Sequence, residues 1–436
     1  MSITNLIQST LNLKEKYLSF DESCLEKQKI KGVEALVYRA TLAPPPPKSC
    51  PSCDCMNENF SIIRHGFKTS TLVLPRVSGF KTLLKLKKQR FFCKHCHSTF
   101  IASSSIVEPN CFISKNTFHS VVCELKEKSS IVDIAKRHAI SHATVNNWLH
   151  QLNKHFIVSK NYLPPHLSMD EFKSVKSSSA AMSFVCIDCV SGKTLDIVED
   201  RRLNNLIRYF LSYSRKARES VQSVCIDMYT PYVSLVKACF PNAILITDRF
   251  HIIQLLSRSL NKTRIRLMNK DKKNYNKLKR YWKLFLRNYD DLDDNEFKKF
   301  TCFSHLQREV DLVNYCVDLD PEFNQSYWFY QDLLSAYQKK DSDAFFTSID
   351  SPPPCLSSYM KTSISSILSF KQSILNSFSS PFSNGKIEGT NNLIKVIKRI
   401  AFGYRNFSTF RARILLVTNT MVRFSIRKGT YLSTST

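Results

Sequence analysis

The sequence lacks any apolar run long enough to cross a membrane, and no window resembles a secretory signal. Charged residues interrupt each apolar stretch before it reaches the roughly 20 residues that a bilayer requires. Acidic residues are also scarce, because 36 Asp and Glu stand against 63 Lys and Arg and leave a net charge of +27. We therefore expect a soluble, cytoplasmic protein without membrane contacts. Its expected partner is a polyanion, with nucleic acid as the first candidate.

Without a secretory signal, the 15 cysteines do not predict a disulfide framework. They form three C-x-x-C pairs, more than chance predicts. One pair, Cys186 and Cys189, lies in a predicted strand, where residues three apart face opposite sides of the sheet, so we interpret it as core. The other two pairs are joined by β-rich sequence, as in a zinc ribbon.

Four thiolates close a tetrahedral Zn²⁺ site and can hold together a block that is too small for a good core. The predicted ligands of one structural Zn²⁺ are Cys50, Cys53, Cys93 and Cys96. Cys55 and His97 are alternative ligands. The alternative interpretation of the block is a small β domain whose cysteines bind no metal.

A helical pattern follows Ser114 and contains a candidate helix-turn-helix within residues 129–149. The small residue Ala139 lies at the turn, Ser141 is a candidate N-cap, and the apolar positions 140, 145 and 148 are predicted to face inward. An ordinary helical hairpin is the alternative, because the turn lacks the usual glycine. The polar residues left on the outer face, where they can meet base edges and phosphates, are His142, Thr144, Asn146 and Asn147.

Three acidic residues are predicted at the ends of secondary-structure elements. Asp227 ends a buried strand and precedes a helix, for which Thr230 is a candidate N-cap. Asp170 begins a series of strand-like segments upstream, and Glu388 lies in the first turns of a basic amphipathic helix downstream. The predicted order β-β-β-α-β-α-β over residues 166–266 is that of a ribonuclease-H-like core, with its chemistry at the carboxyl edge of the sheet.

Asp227 and Glu388 are much further apart than one strand-helix unit requires, which predicts an insertion. Residues 267–381 have helical patterns and no strand pattern, so we expect the insertion to be all-helical. Residues 262–287 hold eleven Lys and Arg against one acid. Such a run is either a solvated helix face or a phosphate-contacting surface, and the total charge favours the surface. The candidate DNA-contacting residues here and on the Glu388 helix are Lys272, Lys273, Arg280, Lys395 and Arg399.

Converging carboxylates repel one another and lose hydration, so they are a poor structural device unless cations join them. Two Mg²⁺ ions, or Mn²⁺ in their place, held about 4 Å apart would allow phosphodiester cleavage and transfer. We expect Asp170 and Asp227 to share both ions and Glu388 to complete one of them.

Taken in order, the zinc ribbon, the helix-turn-helix, DEF, the strand ending in Asp, TDRFH and SNGKIEGTNN resemble a bacterial insertion-sequence transposase of the ISL-three family, in the DDE class. The resemblance covers nearly the whole chain. It implies Asp170, Asp227 and Glu388 as the acidic triad. It also implies Asp248 and His251 as an accessory D-x-x-H pair, whose ordinary interpretation is an i, i+3 contact at a helix start.

The resemblance further implies a DNA transposase that binds the terminal inverted repeats of its own element and carries out metal-dependent cleavage and strand transfer. Its partners would be double-stranded DNA, both element ends and target, and further copies of itself in a homodimer or higher oligomer at the nucleoid. A catalytically silent DNA-binding regulator derived from a transposase is the alternative. The intact triad favours the enzyme.

The predicted fold is a multidomain α+β chain. Its predicted parts are an N-terminal segment with a proline linker (1–47), a zinc ribbon (48–110), a helix-turn-helix domain (111–160), a ribonuclease-H-like core (166–266), a helical insertion (267–381) and the second part of the core with the Glu388 helix (382–436).

Overall fold

The computed structural model describes residues 2–156 and 158–418, and beyond them only the backbone of two short strands. The chain divides into two compact units, and each is described by itself. The N-terminal unit comprises Met1–Phe156, Val396–Tyr404 and Ser408–Thr436, and the core unit comprises Ile157–Lys395 and Arg405–Phe407. No helix among the described residues is long and apolar enough to cross a membrane.

A six-stranded sheet forms most of the N-terminal unit. After helix α1 (Ile3–Thr10) its strands are β1 (Leu18–Ser19), β2 (Leu25–Ile30), β3 (Val33–Leu42), β4 (Ile62–Val77), β5 (Phe80–Cys93) and β6 (Thr99–Ile101). The segment VEALVYRATL before the proline run predicts a strand, and the structure confirms it as β3. It pairs in parallel with β5, so the segment before the proline run shares one sheet with the cysteine-bearing block.

Strands β4 and β5 form a long hairpin whose turn follows from its sequence. Ser78 and Gly79 have φ angles of 49° and 80°, as a two-residue type I′ turn requires. Apolar side chains of β5 such as Leu84 and Leu86 are buried, whereas its lysines lie between them. The alternation buries one face of the hairpin and leaves a basic face outside.

Three helices follow the sheet in the same unit. They are α2 (Lys115–Glu124), α3 (Ile131–Arg137) and α4 (His142–His155). Each begins after a serine whose hydroxyl accepts a hydrogen bond from an amide three residues on, which satisfies a donor that the helix leaves open. Ser141 caps α4 as predicted. Val145 and Leu149 of α4 are fully buried, and Trp148 packs edge-on against Phe118.

The turn between α3 and α4 is a Schellman motif. The Ile140 amide donates to the Ala135 carbonyl (3.0 Å) and the Ala139 amide to the Lys136 carbonyl (3.3 Å). Ala139 occupies the left-handed position with a φ of 53°. Glycine is the usual residue there because a Cβ atom makes this conformation costly.

The core unit is built on a five-stranded mixed sheet in the order β11-β10-β7-β8-β9. The first elements are strands β7 (His166–Lys173), β8 (Met182–Asp188) and β9 (Thr194–Val198), then helices α5 (Leu203–Leu211) and α6 (Arg215–Glu219), strand β10 (Ser223–Ile226), helix α7 (Thr230–Cys239) and strand β11 (Ile244–Thr247). Apart from the short α6, this is the predicted order. Helices α5 and α7 pack on one face through Phe210, Tyr232 and Leu235.

Two local predictions were wrong. Asp170 does not begin a strand but lies inside β7, which already starts at His166. Thr230 is the first helical residue of α7, not its cap; Tyr229 precedes the helix, and no side chain caps it. Proline at the second helical position explains why the helix starts here without a capping side chain, because its φ is fixed in the helical range.

The insertion is helical, and its first helix begins directly after strand β11 of the core. Its helices are α8 (Arg249–Lys270), α9 (Tyr275–Arg280), α10 (Glu309–Val317), α11 (Pro321–Gln338), α12 (Ser342–Asp350), α13 (Ser358–Ser369) and α14 (Lys371–Ser379), with 3₁₀ turns at Leu284–Leu286 and Tyr289–Asp291. Residue 267, predicted as its start, lies inside α8. The buried apolar side chains of α8 belong to the hydrophobic cluster of the insertion: Ile252, Leu256, Leu260 and Leu267.

The last helices are α15 (Gly385–Ile400), which carries Glu388, and α16 (Phe407–Val417). Arg413 of α16 is fully buried and donates to the backbone carbonyls of Glu127 and Ser129 in the loop before α3. The apolar segment 407–424 predicts a closing helix, which α16 confirms to Val417, whereas residues 419–423 lie outside the described residues. The backbone strands beyond it are β12 (Phe424–Ile426) and β13 (Thr430–Leu432).

We expect Ala139→Gly to raise the free energy of unfolding of the N-terminal unit by about 1 kcal/mol. Glycine removes a steric cost of about 1–2 kcal/mol in the left-handed region, and its greater freedom in the unfolded chain returns part of that gain. Urea unfolding followed by Trp148 fluorescence, with Trp282 and Trp328 replaced by Phe, measures it. Ala135→Gly, in the buried interior of α3, is the matched control and should lower stability. A destabilised Ala139→Gly variant would contradict the assignment.

Candidate active site and metal centres

The cysteines of the two predicted zinc knuckles meet in the N-terminal unit. Cys50 and Cys53 lie before β4, Cys93 ends β5, and Cys96 lies in the turn that follows. The Sγ atoms of Cys50 and Cys96 are 3.7 Å apart, and those of Cys53 and Cys93 are 3.9 Å apart. A tetrahedral zinc ion with Zn–S bonds of about 2.3 Å requires sulfur–sulfur distances of about 3.8 Å. The four thiols therefore fit one structural Zn²⁺.

The alternative ligands fit less well. Cys55 Sγ lies 3.4 Å from Cys93 Sγ, closer than two ligands of one tetrahedral ion, and it groups with Cys53 and His95 instead of joining the four. His97 belongs to neither group, and its ring lies against Phe92. The geometry thus favours the four predicted cysteines.

The pKa values of the clustered thiols shift in different directions. The backbone amide of Cys55 lowers the pKa of Cys53, but burial and hydrogen bonds with neighbouring thiols outweigh it and raise this pKa, whereas the pKa values of Cys50 and Cys93 are lowered. Burial raises the pKa of Cys50, but hydrogen bonds from the backbone amides of Ser52 and Cys53 and from neighbouring side chains outweigh it and lower this pKa to about 6. The pKa of Cys93 is lowered chiefly by the backbone amide of Cys96, against an opposing effect of burial. Since the thiolate is the form that binds metal, both shifts favour occupancy of the site.

Three aspartates of the core unit lie at one edge of the sheet because of strand register. Ser168 of β7 pairs with Cys225 of β10 in parallel, so Asp170 and Asp227, each two residues further on, fall at the same level. Ile226 pairs with Thr247 of β11, which places Asp248 beside Asp227 on the other side. The register of three neighbouring strands thus lines up the three carboxylates.

His251 joins this row from the first turn of α8. Its Nδ1 atom lies 3.1 Å from Asp227 Oδ1 and 2.9 Å from Asp248 Oδ2. Asp227, Asp248 and His251 form a group whose ligand atoms all lie within 4.8 Å of one another. The i, i+3 contact between Asp248 and His251 is therefore present, and it also reaches the predicted catalytic Asp227.

Helix α15 faces the row of carboxylates with residues at i, i+4 and i+7. Asn384, just before its first turn, donates to Asp227 Oδ1 (3.2 Å) and accepts from Ser168 Oγ (3.1 Å). Asn391 donates to Asp170 Oδ2 (2.6 Å). Glu388 lies between these two asparagines on the same helix face. Its carboxylate is half-buried and stands outside the compact group around Asp227.

Sequence reasoning missed Asn384 and Asn391. The signal was present in SNGKIEGTNN, where both asparagines share the helical face of Glu388. Each satisfies one aspartate and fixes its orientation. The Oδ1 atom of Asn391 is buried and has no hydrogen-bond partner among the described residues.

The electrostatics of the row indicate a cation site. Burial, reinforced by the charge of Asp170, raises the pKa of Asp227 to about 7, although His251 opposes the shift. Burial likewise raises the pKa of Asp170. The hydrogen bond with Asp248 raises the pKa of His251. Carboxylates that resist ionisation without a counter-charge, next to an unsatisfied amide oxygen, are a donor set that suits hard divalent cations such as Mg²⁺.

Glu171 adjoins Asp170 in the sequence but occupies a different environment. Successive strand residues face opposite sides of the sheet, so Glu171 points toward α5 and α7 while Asp170 points toward α15. Its carboxylate pairs with Arg201 and accepts a hydrogen bond from the Tyr232 hydroxyl (3.1 Å). Glu171 already has a permanent cation partner, and Asp170 does not.

The predicted DNA-contacting residues are placed as follows. His142 and Asn147 of α4 are exposed and Asn146 is half-buried, whereas the Thr144 hydroxyl bonds to Ser141 Oγ (2.8 Å) at the helix start. In the insertion and on α15, all five predicted cations are exposed: Lys272, Lys273, Arg280, Lys395 and Arg399.

Cys93→Ser should remove about one zinc ion per chain and unfold the N-terminal sheet, because the metal holds the end of β5 to the Cys50 loop. Cys55→Ser is the matched control, and it should keep the zinc and the fold. Metal analysis of protein prepared without chelator, with circular dichroism, measures both effects. Wild-type protein without zinc, or a Cys55→Ser variant that loses it, would contradict the ligand assignment.

Comparisons with known proteins identify a family. A family model described as transposase, of the ISL3 DDE type, matches residues 167–414, and a model of the zinc-finger of transposase IS204/IS1001/IS1096/IS1165 matches residues 46–96. A protein of Bordetella parapertussis named transposase for insertion sequence element IS1001 is 27% identical over 253 residues, 57% of this chain and 60% of that protein.

A protein of Lactococcus lactis subsp. lactis named ATP-dependent protease is 33% identical over 124 residues, which is 28% of this chain and 39% of that protein. The chain thus spans 60% of the first relative and 39% of the second, less than two thirds of each. The short second match supports no statement about the activity of the whole chain. Since the transposase model spans more than half of the sequence, the chain belongs to the ISL3 family of DDE transposases.

Proposed function

We propose that this chain binds the terminal inverted repeats of its own insertion sequence and carries out metal-dependent DNA cleavage and strand transfer. The observation that supports it best is the row of Asp170, Asp227 and Asp248 at one sheet edge with Glu388 on the facing helix. The strand order, three antiparallel strands extended by two parallel ones, supports a ribonuclease-H-like core.

Asp170 and Asp227 would hold two Mg²⁺ ions, or Mn²⁺ in their place, and Glu388 would complete the coordination of one. When bound, the ions would supply Lewis-acid stabilisation of the charge that develops on the phosphate. The chain itself keeps the carboxylates in position. Asn384 and Asn391 fix the rotamers of the two aspartates, and His251 bridges Asp227 to the buried Asp248.

A silent DNA-binding regulator has no use for this arrangement. Burying paired carboxylates without a permanent cation destabilises a fold, and replacement by Asn or Ser would relieve the cost. The chain retains the carboxylates together with the asparagines that orient them. This combination supports the enzyme over the regulator.

We assign sequence recognition to α4 and charge-driven binding to the insertion and α15. Asn146 and Asn147 have the side chains that read adenine edges, and exposed lysines and arginines such as Lys272 and Arg399 suit phosphates. Binding of two element ends would require a homodimer or higher oligomer on DNA. The protein would act at the nucleoid in the bacterial cytoplasm.

Asn146→Ala and Asn147→Ala should weaken binding to terminal-repeat DNA, taken from imperfect inverted repeats flanking the gene, more than binding to random DNA. Lys272→Gln, Lys273→Gln and Arg280→Gln should weaken binding to terminal-repeat DNA and to random DNA about equally. They should also make the slope of log K against log salt concentration shallower by about 0.9 for each phosphate that is no longer neutralised. Binding titrations at several salt concentrations measure this. If the asparagine variants lost affinity equally for terminal-repeat and random DNA, α4 would not be the element that recognises the sequence.

Asp170→Asn, Asp227→Asn and Glu388→Gln should each abolish Mg²⁺-dependent strand cleavage while DNA binding and folding survive. Each change removes one charge at nearly constant volume, and the three groups act as one unit, so a double variant should be no worse than a single one. A cleavage assay on terminal-repeat DNA measures the loss, which we expect to exceed about 1,000-fold.

Glu171→Gln is the matched control. Its carboxylate lies on the other side of β7 and is engaged by Arg201 and Tyr232, so substantial activity should remain. An inactive Glu171→Gln together with an active Asp170→Asn would shift the metal ligand by one residue. Full activity in all three triad variants would contradict the proposed function itself.

A further inference from the structure

A cavity of about 250 Å³ opens beside Asp227 in the core unit. Met228, Tyr229, Tyr232 and Leu255 give it aromatic and apolar walls. Its polar lining comes from Asp227, from Glu171 of β7, and from His251, Gln254 and Arg258 of α8. We call this space the Tyr229 pocket. Its volume is sufficient for one flat aromatic ring system. Only one residue separates Tyr229 from the predicted metal ligand Asp227.

The Tyr229 ring is held in place before any ligand binds. Its backbone amide donates to the Asp227 carbonyl (2.7 Å), which makes a tight turn at the end of β10. The ring meets Tyr232 edge-on with centroids 5.1 Å apart, and the Arg201 guanidinium lies 5.3 Å from the ring centroid. Even so, Tyr229 remains 40% exposed. A rigid, partly exposed aromatic ring is suited to stacking, because little freedom is lost on binding.

Helix α8 connects this pocket to the carboxylate row. His251, Gln254, Leu255 and Arg258 follow one another at i, i+3, i+4 and i+7 and therefore share one helix face. His251 contacts Asp227, and Arg258 lies two turns further along. Arg258 is exposed, and no hydrogen bond or ion pair of its guanidinium is found in the part of the chain that the structure describes. It is a cation available to a phosphate next to the reacting one.

We propose that the Tyr229 pocket receives one unpaired nucleobase of the DNA beside the scissile phosphate, stacked on Tyr229, with Arg258 on a neighbouring phosphate. The inference rests on the proposed function. A phosphodiester inside a duplex is poorly accessible to a recessed carboxylate row, and extrusion of one adjacent base would let its strand approach. Stacking on tyrosine offsets part of the unpairing cost and tolerates any base, because every base has a π face.

The test uses the full-length protein and terminal-repeat duplexes with 2-aminopurine placed in turn at each position flanking the cleavage site. With Ca²⁺ in place of Mg²⁺, binding proceeds without cleavage. We expect wild-type protein to raise the fluorescence at one position, Tyr229→Phe to do the same, and Tyr229→Ala and Arg258→Gln to reduce the rise. Tyr359→Ala, a similarly exposed tyrosine on α13, is the control and should behave as wild type.

In Mg²⁺, Tyr229→Ala should cleave about 10- to 100-fold more slowly, as expected from the loss of one base–aromatic stack. With an abasic nucleotide at the position identified by fluorescence, wild type and Tyr229→Ala should cleave at similar rates, because there is then no base to stack on Tyr229. Absence of a fluorescence rise at every position, or a Tyr229→Ala defect that the abasic site leaves unchanged, would overturn the pocket's role. The fluorescence change requires only DNA binding, so it tests the role of the Tyr229 pocket. Cleavage by the wild-type protein tests the proposed function separately.

Discussion

The core unit must offset the electrostatic repulsion among its aligned carboxylates, and this constraint determines the side chains around the site. Parallel pairing of β7, β10 and β11 brings Asp170, Asp227 and Asp248 to one level, and a one-residue shift of any of these strands would turn its side chains to the other face. Hydrogen bonds from two asparagines and one histidine partly offset this repulsion. Donors lower the cost but leave the pKa of Asp227 near 7. The remaining charge imbalance is what a divalent cation would relieve.

The helical insertion leaves and rejoins the core at this same edge. It departs along α8, whose first turn carries His251, and it returns through α14, which bonds to β11 through Thr247–Ser373 (2.7 Å) and Asn376 to the Leu245 carbonyl (2.8 Å). Arg249 also donates to the Ser377 and Ser380 carbonyls. The long sequence separation between Asp227 and Glu388 is therefore closed by contacts beside the site, and α15 begins from a fixed point.

The sequence was most informative where one short pattern determines one element. The β10 strand, the α3–α4 pair and the four zinc cysteines were predictable because burial period, capping serine and C-x-x-C spacing are local signals. Asp170 was placed at a strand start because nothing local reveals that β7 begins at His166, where pairing with Ser223 sets the boundary. Asn384 and Asn391 were missed because an asparagine gains its role only from a partner more than 150 residues away.

Asp170 and Glu171 are adjacent in the sequence but differ in their charged partners, and this difference supports the proposed assignment of Asp170 as the functional acid. The chain has 63 Lys and Arg, yet among the described residues neither Asp170 nor Asp227 pairs with any of them. Glu171 forms an ion pair with Arg201. Elsewhere in the same unit, Asp200 forms one with Arg202. A strongly basic protein could neutralise any carboxylate at little cost by placing a lysine beside it. Under the proposed function, the acids that it buries with amide and imidazole donors alone are those whose cation would come from outside the chain.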